Sequence, residues 1–158
     1  MTSLKRRALL KSALTVGALI VTTGAGLLRS ARALAADWPK SAFEAKTGAD
    51  AIKNLYGAVD ASSDKVIDLE VPFQAENGAV VPITVSTALP NVESISIVVE
   101  KNPAPLIASV SLSNGARGYF KARMKMAESS EIKAYVKTGN RLYMVSQQVK
   151  VTVGGCGG

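Results

Sequence analysis

The spacing of hydrophobic positions changes once along this chain, and the change separates a helical stretch from a long series of strands. Ala45, Ala49, Ile52 and Tyr56 recur every three to four positions, with Phe43 and Leu55 on the flanks. That spacing predicts one amphipathic helix of about four turns, lying across a sheet. Ser41-Ala42-Phe43-Glu44 has the pattern of a capping box at its start, and Gly57 supplies a C-cap at its end. From Val66 the period becomes two. Ile67, Leu69 and Val71 alternate with Asp68 and Glu70, then Ile83 and Val85 with Thr84 and Ser86. Ile95, Ile97 and Val99 mark a third strand and Ile107 to Leu112 a fourth. In a fifth, Phe120, Ala122, Met124 and Met126 face away from Lys121, Arg123 and Lys125. Ile132 to Lys137 is a sixth, and Arg141 to Val153 a long seventh with Val149, Val151 and Val153 on one face. Glu76-Asn77-Gly78, Pro90-Asn91, Asn102-Pro103, Ser113-Asn114-Gly115 and Gly139-Asn140 punctuate the series as turns. The pattern predicts an all-β fold, an immunoglobulin-like antiparallel sandwich of about seven strands behind an N-terminal amphipathic helix. Pro82 predicts that the second strand is an edge, or is irregular at its start.

Charge redraws the boundaries. The 158 residues carry 19 Lys and Arg against 12 Asp and Glu, a net of +7, which by itself raises nucleic acid as a partner. Residues 1–35 hold six of those bases and no acid, so residues 36–158 are left at a net of +1. Lys5-Arg6-Arg7-Ala8-Leu9-Leu10-Lys11 precedes an uncharged, mostly apolar run from Ser12 to Leu28, and Ala33-Leu34-Ala35 forms a small-x-small site. Arg6 and Arg7, with Leu10 and Lys11, resemble the bacterial twin-arginine export signal, although Lys5 and Leu9 stand where Ser and Phe are usual. The competing reading is a retained membrane anchor, for which the run is marginal in length and polarity. The expected organisation is a removed signal at 1–35, a helix-plus-sandwich domain at 36–153 and a flexible arm at 154–158. Its location is then the periplasm, with no membrane contact after cleavage and no electrostatic case for nucleic acid.

Two scarcities narrow the chemistry. The chain has no histidine and one cysteine, which excludes histidine general-base catalysis, histidine metal ligation and any internal disulfide. No metal-ligand cluster and no Gly-rich phosphate loop is visible, so neither a metal nor another cofactor is expected. Asp68 and Glu70 are paired carboxylates with no positioned partner, and read as solvated surface. Lys121, Arg123 and Lys125, with Lys133 and Lys137 expected nearby, form a basic stripe. It is either a guarded sheet edge or a surface that steers anions and acidic partners.

The C-terminal Gly154-Gly155-Cys156-Gly157-Gly158 is the informative feature. Four glycines around one cysteine free the backbone and remove bulk, so the segment can enter a narrow channel. Cys156 is the only reactive side chain on it, with a reach of roughly 10 Å beyond Val153. No Lys or Arg lies within five residues of the thiol, and Lys150 is the nearest base. Nothing on the arm favours the thiolate, so catalysis must come from elsewhere. That suits a carrier, not an enzyme.

Gly-Gly-Cys-Gly-Gly after Val149-Lys150-Val151-Thr152-Val153, behind a twin-arginine signal, resembles the SoxY family, the sulfur-carrier subunits of the bacterial Sox thiosulfate-oxidising system. The likeness includes Ala42-Phe43-Glu44-Ala45-Lys46 through Leu55-Tyr56-Gly57. It implies an immunoglobulin-like fold, a heterodimer with SoxZ, and covalent carriage of sulfur intermediates on Cys156. It further implies loading of thiosulfate by the c-type cytochrome enzyme SoxAX and release of sulfate by the hydrolase SoxB. In some organisms a sulfane dehydrogenase acts on the remaining sulfur. Two other functions compete: an exported structural sandwich that dimerises through a Cys156 disulfide, and a ubiquitin-like carrier that uses a terminal Gly-Gly thiocarboxylate.

Overall fold

The computed structural model describes residues 38–57, 60–63 and 65–152. The expected signal segment with Arg6 and Arg7, and Val153 with the Gly154, Gly155, Cys156, Gly157, Gly158 segment, lie outside the described residues. The elements in chain order are α1 (Lys40–Phe43), α2 (Gly48–Tyr56), β1 (Ile67–Glu70), β2 (Gln74–Ala75), β3 (Val81–Thr87) and β4 (Val92–Val99). They continue with β5 (Leu106–Ser111), β6 (Tyr119–Met124), β7 (Ser130–Thr138) and β8 (Arg141–Val151).

The strands form two sheets, one of three strands ordered β1-β3-β6 and one of five ordered β2-β8-β7-β4-β5. All pairings are antiparallel except β2 with β8. The period-two alternation decides what lies between the sheets. Ile83 and Val85 of β3 and Met124 of β6 meet Ile95, Ile97 and Val99 of β4 and Ile132, Ala134 and Val136 of β7 in one buried cluster. Met126, just past β6, is also fully buried there. The all-β sandwich expected from the alternation is present, with one more strand than expected because the two-residue β2 has no period to detect. Pro82 lies in the middle strand of its sheet, not at an edge. β1 pairs only with Thr84 to Thr87, so the start of β3 has no neighbour on that side, and there a missing N–H is tolerated.

A third layer covers the outer face of the larger sheet, and here the sequence reading needs correction. The expected single helix is two. Ser41 does not cap: α1 begins at Lys40 with no side-chain cap, and Glu44 ends it. Thr47 adopts extended backbone and accepts a hydrogen bond from the Asp50 amide, so it starts α2 afresh. Gly57, at φ 77, closes α2 as expected. The buried stripe is Gly48, Ala51 and Ile52, while Ala49 faces solvent. Ala42, Ala51 and Ile52 pack on Val98, Leu106 and Tyr135. The Tyr56 hydroxyl lies 2.9 Å from Ser94 Oγ and 2.6 Å from Ser96 Oγ, and Ser96 donates to Ser109 Oγ at 3.0 Å. These bonds satisfy the buried serines that alternation places on the helix side of β4.

The basic stripe divides. Lys121, Arg123 and Lys125 stand exposed on or just beyond β6, in the smaller sheet. Lys133 and Lys137 belong to β7 in the larger sheet and are neutralised by neighbours. Register sets Lys133 Nζ 2.8 Å from Glu100 and 3.4 Å from Glu131, and pairs Lys137 with Glu93. Bonding to Glu100 holds the Lys133 ammonium above its usual range. Burial, partly opposed by Lys133, holds the Tyr135 hydroxyl above the usual phenol range.

A methyl group added at Gly48 would sit 2.7 Å from both Glu100 Oε1 and Val98 Cγ1. Helix propensity alone predicts a gain of about 1 kcal/mol for Gly48→Ala, whereas overpacking against the sheet costs about 1–3 kcal/mol. The variant should therefore unfold at lower urea than the parent. Alkali should also destabilise the fold. The Lys133 contribution is complete below its unfolded value of about 10.4 and is lost as pH rises through the higher folded value. Tyr135 ionises first in the unfolded chain, near pH 10, which favours unfolding in the same window. Urea midpoints should hold to about pH 9 and fall by about pH 11. Lys133→Gln should lose less stability across that interval than the parent.

Candidate functional site at the end of the last strand

β8 is the strand from which the Gly-rich segment departs, and both of its sides are held. Ser62 and then residues 71–76 bond to it on one side, and both strand pairings there are parallel. Ser62 bridges Tyr143 in parallel, through its amide to Leu142 O at 2.9 Å and the Met144 amide to Ser62 O at 3.0 Å. Gln147 Nε2 donates to Val71 O at 3.0 Å, and the Lys150 amide to Phe73 O at 3.0 Å. Gln74 and Ala75 then pair with Lys150 and Val151. Thr152 completes the row, its amide donating to Ala75 O at 3.1 Å and its hydroxyl to Glu76 O at 3.0 Å.

On the opposite side β7 pairs with β8 from Thr138 and Arg141 through Ser130 and Val149. Beyond that register Ser129 takes over. Its hydroxyl accepts from the Val151 amide at 2.8 Å and donates to Val151 O at 3.4 Å. The Ser129 loop is itself fastened at two points. Asn102 receives the Ala127 amide at 2.9 Å and donates to Lys125 O at 2.8 Å, and the Met126 amide reaches Gly78 O at 2.7 Å. Three loops and the strand end are thus bonded into one base, four residues before Cys156.

The residues of this base are otherwise engaged. Lys150 places its ammonium 5.5 Å from the centroid of the Phe73 ring, a cation–π contact that occupies the nearest base. Asp68 and Glu70 are exposed on β1, opposite Ser86 and Thr84, and neither is ion-paired among the described residues. Met124 and Met126 are core residues, as the alternation implies. Among the described residues no group of three or more His, Cys, Asp or Glu is placed to hold a metal. No helix among them is long and apolar enough to cross a membrane. The sequence reading missed β2, the bonds from Ser62 and residues 71–76 to β8, and the Ser129 clamp. The hints were slight: two polar residues before β7 and one threonine after β8.

The family model described as Sulfur oxidation protein SoxY matches residues 52–156. Among solved structures, the chain is similar to the sulfur carrier protein SoxY from Chlorobium limicola f thiosulfatophilum, at 35% identity and a TM-score of 0.61. That alignment covers 66% of this chain and 94% of the other. A superoxide reductase (neelaredoxin) from Ignicoccus hospitalis aligns at 16% identity and a TM-score of 0.46, over 54% of this chain and 80% of that one. That likeness is too weak to bear on fold or function. None of the curated proteins matches. With the family model matching well over half of its length, and ending on the cysteine that the sequence singles out, this chain belongs to the SoxY family of sulfur oxidation proteins.

Proposed function

We propose that this chain is an exported sulfur carrier that holds the intermediates of thiosulfate oxidation covalently on Cys156 and presents them to partner enzymes. The observation that carries the reading is the family match, which extends to Cys156 itself. The 35% identical structure named a sulfur carrier protein supports it, and so does a bonded strand end followed by Gly154-Gly155-Cys156-Gly157-Gly158. The arm is supple by composition and its base is firm by hydrogen bonding.

The chemistry balances around one sulfur atom. The Cys156 thiolate and thiosulfate join through a new S–S bond, giving a cysteine S-thiosulfonate and releasing two electrons. In this reading a c-type cytochrome enzyme, SoxAX, accepts them. Hydrolysis of the terminal sulfonate by SoxB consumes one water, releases sulfate and two protons, and leaves a persulfide on Cys156. A sulfane dehydrogenase, where present, oxidises the outer sulfur of that persulfide. The protein supplies neither base nor metal to these steps. Its part is to keep the sulfur attached and to deliver it. In the same reading SoxZ is the heterodimer partner, and the twin-arginine signal with Arg6 and Arg7 takes the protein to the periplasm.

Intact-mass spectrometry with and without reductant tests the carrier. The protein purified from thiosulfate-grown cells should bear reductant-labile masses of one or more sulfur atoms, with or without SO3, on the C-terminal peptide. Cys156→Ser should carry none. Disulfide dimer alone would instead support the structural sandwich, and adducts that survive alkylation of the thiol would support the thiocarboxylate. Replacing Gly155 and Gly157 with Val should slow loading at least ten-fold while the urea midpoint stays unchanged, because sheet bonding ends at Thr152 among the described residues. Unchanged loading would remove the narrow-channel role of the glycines.

A further inference from the structure

Sheets invite foreign strands along their edges, and proteins guard those edges with charge, short length, bulges or covering segments. Three of the edges here are guarded. β1 carries exposed Asp68 and Glu70, β6 carries Lys121, Arg123 and Lys125 along it, and β2, which borders β8, is only two residues long. β5 differs. Leu106-Ile107-Ala108-Ser109-Val110-Ser111 borders the five-stranded sheet without a charge, a proline or a glycine. A register shift at Ile97 and Val98 leaves Ile107 without an opposite residue. From Ala108 to Ser111 the pairing is regular. Among the described residues the β5 backbone bonds to β4 alone.

β6 lies along the same side of the sandwich as β5. Between them is a cavity of about 480 Å³ lined by Leu106, Ile107, Met124 and Met126, with Arg123 and Lys125 also on its walls. An uncharged edge, an apolar recess and a row of cations therefore stand side by side. None of Lys121, Arg123 and Lys125 is ion-paired among the described residues. A second copy of this chain fits the uncharged edge but not the cations, because a two-fold contact through β5 sets one basic row toward its twin. The complement is a different chain.

We propose that β5 accepts the edge strand of another β-sheet protein, adding a strand to the five-stranded sheet. That strand is uncharged, it places an apolar side chain in the recess, and its flank turns carboxylates toward Lys121, Arg123 and Lys125. Main-chain bonds supply affinity in such an addition, while the recess and the charges select the partner. In its choice of partner the proposal rests on the heterodimer reading above; in its geometry it rests on the two sheets.

The test is co-expression with the SoxZ subunit of the same bacterium, followed by amide hydrogen exchange and binding measurements. In the complex, amides in 106–111 should exchange at least ten-fold more slowly than in the free chain. The exposed triple variant Lys121→Glu, Arg123→Glu, Lys125→Glu should keep the parent's unfolding midpoint and bind SoxZ about ten-fold or more weakly, with a flatter salt dependence. A complex with unchanged exchange in 106–111 overturns the proposal and leaves the heterodimer standing. A triple variant that binds like the parent overturns the charge selection. No complex with the wild-type chain refutes the heterodimer reading itself. Protection of 106–111 in the chain alone, with a dimer in sedimentation velocity, overturns the choice of a different partner.

Discussion

The bonds that finish β8 are the constraint on which the rest depends. A sheet strand normally frays at its end, where neighbours run out and amides turn to water. Here the fraying is prevented from both sides, by Ser129 on the β7 side and by Ala75 and Glu76 on the other. Those groups are held in turn, because Asn102 fixes the Ser129 loop and Val71, Phe73 and Gln74 bond β8 just before Ala75 and Glu76 do. The inter-sheet core is therefore coupled to the residue from which the cysteine segment leaves. In the carrier reading proposed above, the reach of Cys156 is measured from this strand end, so a fixed strand end serves it.

The helical layer keeps the larger sheet in register with that pivot. Tyr56 bonds two serines that alternation leaves on the covered face of β4, and Gly48 lets α2 approach Val98 and Glu100 more closely than any side chain allows. Glu100 also takes the Lys133 ammonium. One glutamate thus lies at the meeting point of helix, β7 and the β4–β5 connection. The surface that results is uneven in charge: the lysines of β7 are neutralised, while the cations of β6 are left exposed.

How far the sequence could be read depended on the range of each signal. Period-two runs in β3, β4 and β6 located the core faces, and Gly57, Asn114 and Gly139 all adopt the positive φ their turns require. Ser41-x-x-Glu44 and Thr47-x-x-Asp50 are equally good helix starts on paper. Packing chose the second, because Ala42 and Ala51 both need to face the sheet and one straight helix does not present both. β2 is two residues long, too short for a pattern. Lys133 and Lys137 could be assigned to a face by alternation, but which sheet they join is a matter of topology, which local spacing does not encode. Cys156 lies outside the described residues, and composition alone singles it out.

The direction of β2 has a mechanical meaning. In the carrier reading proposed above, an enzyme that takes up Cys156 loads β8 from its C-terminal end. Ladder bonds in a sheet run across the strands, so a lengthwise pull loads the β7 row and the row from Val71 to Glu76 together, in shear, and does not open them one at a time. Force applied at the arm is shared by both rows before any single bond gives way. In that reading, the strand that precedes the cysteine is held so as to bear tension along its length.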